Sequence, residues 1–453
     1  METQLEVIHI SDSTFIKDTA ARFLRHLRSI ERLLEQDLLD KPVPENMELG
    51  EFISYVLYLK YRRIEATQSS DKEELKDIEL KFEEISEGPL FTLIDKKVAV
   101  EVDENDFVYK IDSTLLKNAY LQYKENKTDE SYEQSQYQNS LVISLVIGME
   151  LLIADIFKDF IHNLDVSNQV IKDKPLTYDD LRNFNSVEDA KIFLLDQYIE
   201  NLLRNSFDSW IVEFEDKMKI NVLKIHDLKT DINVINETFQ RRHLIIHNEG
   251  IVNDLYIKKV DEKLTNNVVK GEILHLDRKY IKLRLSTFRK FGLILLYLYG
   301  VKKHRKELDK LFEDYHGLLV GILDKSCDGV RYIFEQFSES DIDHSYRLMS
   351  KINYFLSYKL VNDDSIDSTI NVFDTGALSI EYKMAKSILL DRAEAEKEVI
   401  EYLKGSNDDH FISVLEWPLL KLLKRTSKLN AYTKRRYKSI LKKEMGDNYA
   451  ITE

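Results

Sequence analysis

Cysteine is nearly absent from this chain: Cys327 is the only one in 453 residues. A single thiol makes no internal disulfide framework and no cysteine-rich metal centre, so Cys327 reads as a buried thiol. Proline and glycine are also scarce, at 5 and 13 residues. That leaves few places where a helix must break and argues against a turn-rich all-β fold. Long uncharged apolar runs are missing too. The most apolar stretch, 141–157, carries Glu150 and Asp155, and the next, 291–301, is short of the roughly twenty residues a membrane helix needs. The opening METQLEVIHISDSTF has neither the basic nor the long apolar part of a signal peptide. A soluble, cytoplasmic protein with no membrane contact is expected. Positive charge is in deficit, with 65 basic against 80 acidic residues and a net charge of −15. This excludes a protein that coats nucleic acid generally, though not one with a local basic site.

Several catalytic signatures are missing as well. There is no Gly-Lys-Ser/Thr phosphate loop, no His-Glu-x-x-His zinc helix and no Gly-x-Ser-x-Gly elbow. The acidic pairs Asp179–Asp180 and Asp363–Asp364 are sequence neighbours whose side chains point apart, so neither makes a two-metal cluster. No metal and no cofactor are expected.

What is abundant is Leu, Ile, Lys and Glu at helical spacing. The expected fold is mainly α. Apolar residues at Phe15, Phe23, Leu24, Leu27, Ile30 and Leu34 mark a first helix, stopped before Pro42 and Pro44. Further helices are expected over about 45–66 and up to about 87. Val98–Val102 and Phe107–Ile111 flank the turn-like Asp103–Asp106, which predicts a small β-hairpin near 98–111 on a helical N-terminal domain, residues 1–127. The polar run 125–138 is either a boundary or the solvated start of a long helix. Residues 140–160 are apolar nearly all round and predict a central buried helix. Glu150 lies within it, and a buried carboxylate needs a partner. Arg241 and Arg242 are candidates, and a purely structural ion pair is the alternative.

Chemistry concentrates in 237–253, ETFQRRHLIIHNEGIVN. Arg241, Arg242, His243 and His247 fall within seven positions, and Asn248 and Gly250 follow. Gly250 looks like the left-handed residue that closes a helix, which puts His247 in the last turn. An imidazole titrates near neutrality and a helix C-terminus favours its charged form. A guanidinium stays charged and forks onto phosphate oxygens. Phosphodiester cleavage needs such a proton shuttle and such a clamp. The bland alternative is a terminal histidine touching carbonyls and an arginine paired with Glu150 or Glu237.

Arg242-His243-Leu244-Ile245-Ile246-His247 resembles the Arg-polar-x-x-x-His signature of the HEPN superfamily, many of whose members are metal-independent ribonucleases. The polar second position is His243, and Asn248 with the GIVN continuation looks like the HEPN proteins of bacterial phage defence and abortive infection. The layout around the motif also fits: two long helices, a connector, the motif helix and a closing helix over about 278–301. The resemblance implies a HEPN-like catalytic domain over 128–303 and a homodimer through it. It implies an endoribonuclease, a toxin or anti-phage effector, in which the 2′-hydroxyl attacks phosphorus and leaves a 2′,3′-cyclic phosphate. Arg242 and His247 take the catalytic positions. His243, Asn248, Arg241 and Glu150 are supporting. An antitoxin or defence-system partner is a further implication.

Beyond the basic 302–306, helices over 311–337, 345–360 and 380–403 suggest a helical C-terminal domain, 304–453, with stacked helical pairs. Its end is rich in Lys and Arg. Lys434, Arg435, Arg436 and Lys438, interleaved with Tyr432 and Tyr437, are candidate RNA contacts, with a solvated helix face as the alternative. Two other readings of the whole chain stand beside the nuclease. One is a non-catalytic HEPN-like module that binds RNA, a nucleotide or a protein. The other is a purely structural helical scaffold.

Overall fold

The structure is a computed structural model and describes residues 14–35, 49–69, 72–86, 89–103, 106–163, 176–177, 182, 184–265, 268–325, 327–424 and 426–445. The expected breaks at Pro42 and Pro44 lie outside these residues.

The chain is mainly α, with one hairpin. In order come α1 (Phe15–Glu35), α2 (Leu49–Ser69), α3 (Lys72–Ser86), α4 (Pro89–Asp95), β1 (Val98–Asp103), β2 (Asp106–Ile111), α5 (Thr114–Asn163), α6 (Val187–Leu203) and α7 (Phe207–Asp216). Then come the motif helix α8 (His226–Asn248), α9 (Asp254–Lys259), α10 (Glu262–Thr265) and α11 (Arg278–Lys303). The C-terminal part holds α12 (Leu308–Val320), α13 (Cys327–Glu339), α14 (His344–Lys359), α15 (Asp367–Val372), α16 (Ile380–Leu389), α17 (Ala395–Gly405), α18 (Asp408–Glu416) and α19 (Ser427–Met445).

Two compact units result, residues 33–140 and residues 1–32 with 141–453. In the smaller unit β1 and β2 pair antiparallel, from Val98 opposite Ile111 to Asp103 opposite Asp106. The hairpin is therefore where the alternating apolar residues put it. Ile53, Val56, Leu57, Ile94, Val98, Leu116 and Tyr120 form the core of this unit. The division differs from the expected three domains. The boundary at 127/128 falls inside α5, which runs unbroken for 50 residues. The polar run 125–138 is thus the solvated part of one long helix. Residues 304–453 group with 141–303, because α13 packs on α11 and the Tyr315 hydroxyl donates to the Leu293 carbonyl at 2.9 Å.

The second half of α5 is central to the larger unit. Val142, Leu145, Val146, Met149, Ile153, Ile156 and Phe157 are all buried. It is not buried all round, however. Ile147 and Leu151 are 39 % and 57 % exposed, and Glu150 between them is half-buried. The stretch Thr114–Ile161 is long and apolar enough, by length and composition, to cross a membrane, and 61 % of its most apolar window is buried within the protein. Glu150 and Asp155 are too few charges to disqualify it, which corrects the expectation that no stretch would pass.

Candidate active site

The motif helix is held by aromatic packing on one flank. Phe239 stacks on Phe207 at 5.1 Å between ring centroids and meets the edge of Trp210 at 5.6 Å and the face of Phe288 at 6.5 Å. This cluster ties α8 to α7 and α11. Trp210 is buried, and its indole N–H reaches the Leu202 carbonyl at 2.8 Å, so its polar end is satisfied. On another flank Asn233 donates to Asp261 at 2.6 Å and Asn236 to the Lys259 carbonyl at 3.2 Å.

Beneath the motif lies a buried polar network around Glu237, which is 1 % exposed. Its Oε1 accepts from Arg241 Nε at 2.7 Å and from the Tyr256 hydroxyl at 2.8 Å. Its Oε2 accepts from the Tyr280 hydroxyl at 2.7 Å and from Arg284 Nη2 at 2.9 Å. Both guanidiniums also lie over the Tyr280 ring, 4.2 and 4.3 Å from its centroid. Burial alone would raise the Glu237 pKa, but Arg241, Arg284 and the two phenols outweigh it and hold the carboxyl below its ordinary value. Burial and the Glu237 charge push the Tyr280 phenol up to about 12. Arg241 is thus a structural residue, paired with Glu237 and not with Glu150. The only sequence sign of this network was the four-residue spacing from Glu237 to Arg241. Tyr256, Tyr280 and Arg284 come from other helices and were missed.

Past this network α8 ends in a tight reversal. Glu249 takes the left-handed conformation at φ 52°, and Gly250 follows at φ 79°. Both N–H groups point to the Leu244 carbonyl. Gly250 was expected to close the helix alone; Glu249, with no such freedom, takes the first left-handed position. Asn248 donates from Nδ2 to the Ile251 carbonyl at 2.6 Å, which fixes the turn. The following residues do not wander. Ile251 bridges Ile273, the Val252 N–H donates to the Glu272 carbonyl, and the Gly271 and Leu274 N–H groups donate to the Val252 and Gly250 carbonyls. The segment at Gly271–Leu274 is thus the partner of this turn.

Arg242 is half-buried, and among the described residues it has no hydrogen-bond or ion-pair partner; its Nε is buried with nothing to donate to. Its charge is felt at Glu150. Burial raises the Glu150 pKa, and Arg242 acts against that rise. So Glu150 faces Arg242 electrostatically without an ion pair. His243 and His247 are exposed and sit one turn apart, their ring centroids 4.6 Å apart at a 52° tilt. Burial, then His247, Lys259 and Arg242, lowers the His243 pKa from its ordinary value. At about 100° per residue, Arg242 and His247 are about 140° apart around the helix, with His243 between them. One helix therefore presents two tilted, neighbouring imidazoles and, to one side, a guanidinium without a partner among the described residues. That set can take and give a proton and can hold an anionic oxygen.

The basic tail divides. Arg436 faces inward at 16 % side-chain exposure. It donates to the Leu403 carbonyl, to the Ser406 carbonyl at 2.5 Å and to Asp408 at 3.3 Å, and it lies over the Phe411 ring at 4.5 Å. Its guanidinium fastens α19 to the α17–α18 corner, so it departs from the surface role expected of it. Lys434, Arg435 and Lys438 are exposed and, among the described residues, carry no ion pair. Lys434, Tyr437 and Lys438 line an open groove of about 410 Å³ with Leu415 and Leu441 on its floor.

Neither a family model, a curated protein nor a solved structure matches this chain.

Proposed function

We propose that this protein is a metal-independent endoribonuclease of the HEPN type, acting as a toxin or an anti-phage effector. The observation that carries the reading is Arg242: a half-buried guanidinium without a partner among the described residues, on the same helix as two exposed imidazoles and held there by the Glu237 network. A structural arginine at that depth would be paired, as Arg241 is. In the proposed mechanism His247 takes the proton from the RNA 2′-hydroxyl, and the alkoxide attacks the adjacent phosphorus. The bond to the 5′-oxygen breaks, and His247 passes its proton on to that oxygen as it leaves. Arg242 holds the charge that grows on the phosphoryl oxygens. The products are a 2′,3′-cyclic phosphate and a 5′-hydroxyl. The nucleophile is internal to the substrate, so its proximity is built in.

The two catalytic groups lie on different sides of one helix. A second copy facing the first would bring the partner's Arg242 beside His247. Ile147, Leu151 and Ile246, 39 %, 57 % and 44 % exposed, supply apolar surface around Glu150 and the motif for such a homodimer. The groove at Lys434, Tyr437 and Lys438 supports RNA contact away from the cleavage residues. It would also suit a module that binds RNA without cutting it, which is the second reading.

End-mapped RNA from cells expressing wild type, His247→Ala and Arg242→Ala separates the two. Cyclic-phosphate ends in wild type, lost in both variants and retained with the purified enzyme in EDTA, support the nuclease. Arg242→Lys should rescue only in part, because an ammonium lacks the fork. Equal cleavage by both alanine variants, or activity that EDTA removes and magnesium restores, overturns it. RNA bound but intact supports the binding module.

A further inference from the structure

The proposed cleavage uses His247 and Arg242, but a second imidazole, His243, lies against His247. They are separated by one helical turn, both are exposed, and their ring centroids lie 4.6 Å apart. We propose that His243 and His247 together chelate a borderline divalent transition ion, copper(II), nickel(II) or zinc(II), and that the bound ion shuts off the proton shuttle.

Two histidines four residues apart on a helix share a face, the arrangement by which helical zinc motifs bring two ligands to one ion. Nitrogens bound to one ion at roughly 2.0–2.1 Å in tetrahedral geometry are about 3.3 Å apart. Rings 4.6 Å apart reach that separation by small side-chain rotations. Imidazole selects this class of ion, whereas magnesium and calcium require oxygen ligands that the pair lacks. The backbone beneath is already ordered. Leu244 is buried between the two histidines, and the Asn248 bond to Ile251 fixes the last turn. Ligation needs neutral imidazole, so binding should weaken as pH falls. The neighbouring cations, Lys259 and Arg242, repel a dication. With two protein ligands and the remaining positions left to water, the site is weaker than a three- or four-ligand centre, and a chelator empties it.

An ion on His247 occupies the lone pair that would accept the 2′-hydroxyl proton. The chelation stands on the geometry alone, while the inhibition rests on the nuclease reading. Metal and chelator should then act oppositely to their roles in a metal-dependent nuclease: zinc(II) slows cleavage and EDTA restores it.

The full-length protein is titrated with copper(II) and followed by electron paramagnetic resonance. A first site with hyperfine splitting from two imidazole nitrogens is expected in wild type and in His275→Ala, an exposed histidine elsewhere on the surface. It should be lost in His243→Ala and in His247→Ala, with circular dichroism confirming that both variants are folded. No two-nitrogen site in wild type, or one that persists in both variants, overturns the chelation. RNA cleavage is then measured with zinc(II) up to saturation. Undiminished cleavage overturns the inhibition. If no condition gives cleavage, the nuclease reading and the inhibition fall together, and the resonance spectra alone decide the chelation.

Discussion

Glu237 shows how much a single buried residue sets around this motif. One carboxylate accepts from two guanidiniums and two phenols, and these come from α8, α9 and α11. Removing one partner of a buried charge set typically costs about 3–5 kcal/mol, because it leaves charge uncompensated. Glu237→Ala should destabilise the fold by that order in urea unfolding. The loss should be far larger than for Arg242→Ala, whose side chain gives up no partner. A loss below about 1 kcal/mol would mean that water already reaches the network. The pH dependence has a definite sign. The Glu237 pKa lies below its ordinary value in the folded state, so its stabilisation is present above the unfolded value, about 4.3, and fades as pH falls through the lower folded value. Glu150 runs the other way. Its folded pKa is raised, so its contribution is present at acid pH and is lost as pH rises through the folded value. In Glu237→Gln the acid-side dependence should flatten, which unfolding midpoints followed down from neutral pH would measure. An unchanged acid limb would move the titration to another carboxylate.

Two helices show what an element needs beyond its apolar stripe. At the end of α8, Glu249 holds a left-handed conformation at φ 52° with a side chain that disfavours it. Glu249→Gly should remove that strain at a smaller entropic cost, for a net gain of about 0.5–1 kcal/mol. A drop in thermal midpoint would mean that the Glu249 side chain makes up for its backbone. In α19 the basic residues look alike in sequence but have opposite duties. Arg436 is the inward fastener, and Lys434 and Lys438 flank an exposed Tyr437 along one groove. If unpaired RNA lies there, Lys434→Gln with Lys438→Gln should weaken binding and flatten the salt dependence by roughly 0.7 per lost phosphate contact. Tyr437→Ala should weaken it by about 1–3 kcal/mol through lost stacking, with little change in slope. Measured on the His247→Ala background, which is expected not to cut, unaltered affinity in both variants would assign the groove to solvent. Arg436→Ala should instead loosen the terminal helix, seen as faster hydrogen exchange over α19.

At the scale of the whole molecule the expected three-part chain becomes two units, with 33–140 inserted in sequence between 1–32 and 141–453. A continuous α5 belongs to both. The proposed nuclease then has a consequence for mass. A homodimer should assemble through the larger unit, and charge placed at Ile246 or Leu151 should break it and abolish cleavage together. Light scattering at micromolar concentration measures this. A monomer with full activity would end the composite-site idea and require Arg242 and His247 of one helix to serve one phosphate.

Local pattern was enough for the helical class, the hairpin at 98–111 and the course of the motif helix. Each depends on neighbours within a turn or two: alternating apolar residues in the strands, and three apolar residues between the two histidines in the helix. The same reading made Arg242 catalytic, Arg241 supporting and Arg436 a candidate RNA contact. Tertiary packing decides what each guanidinium meets: Glu237 for Arg241, the Leu403 and Ser406 carbonyls for Arg436, and, among the described residues, no partner for Arg242, because those are distances in space. The two compact units depart from the expected three domains for the same reason. A polar run reads in sequence as a boundary or as the start of a long helix, and it becomes part of a 50-residue helix when its flanking residues continue the turn and its apolar end is held by partners more than a hundred positions away.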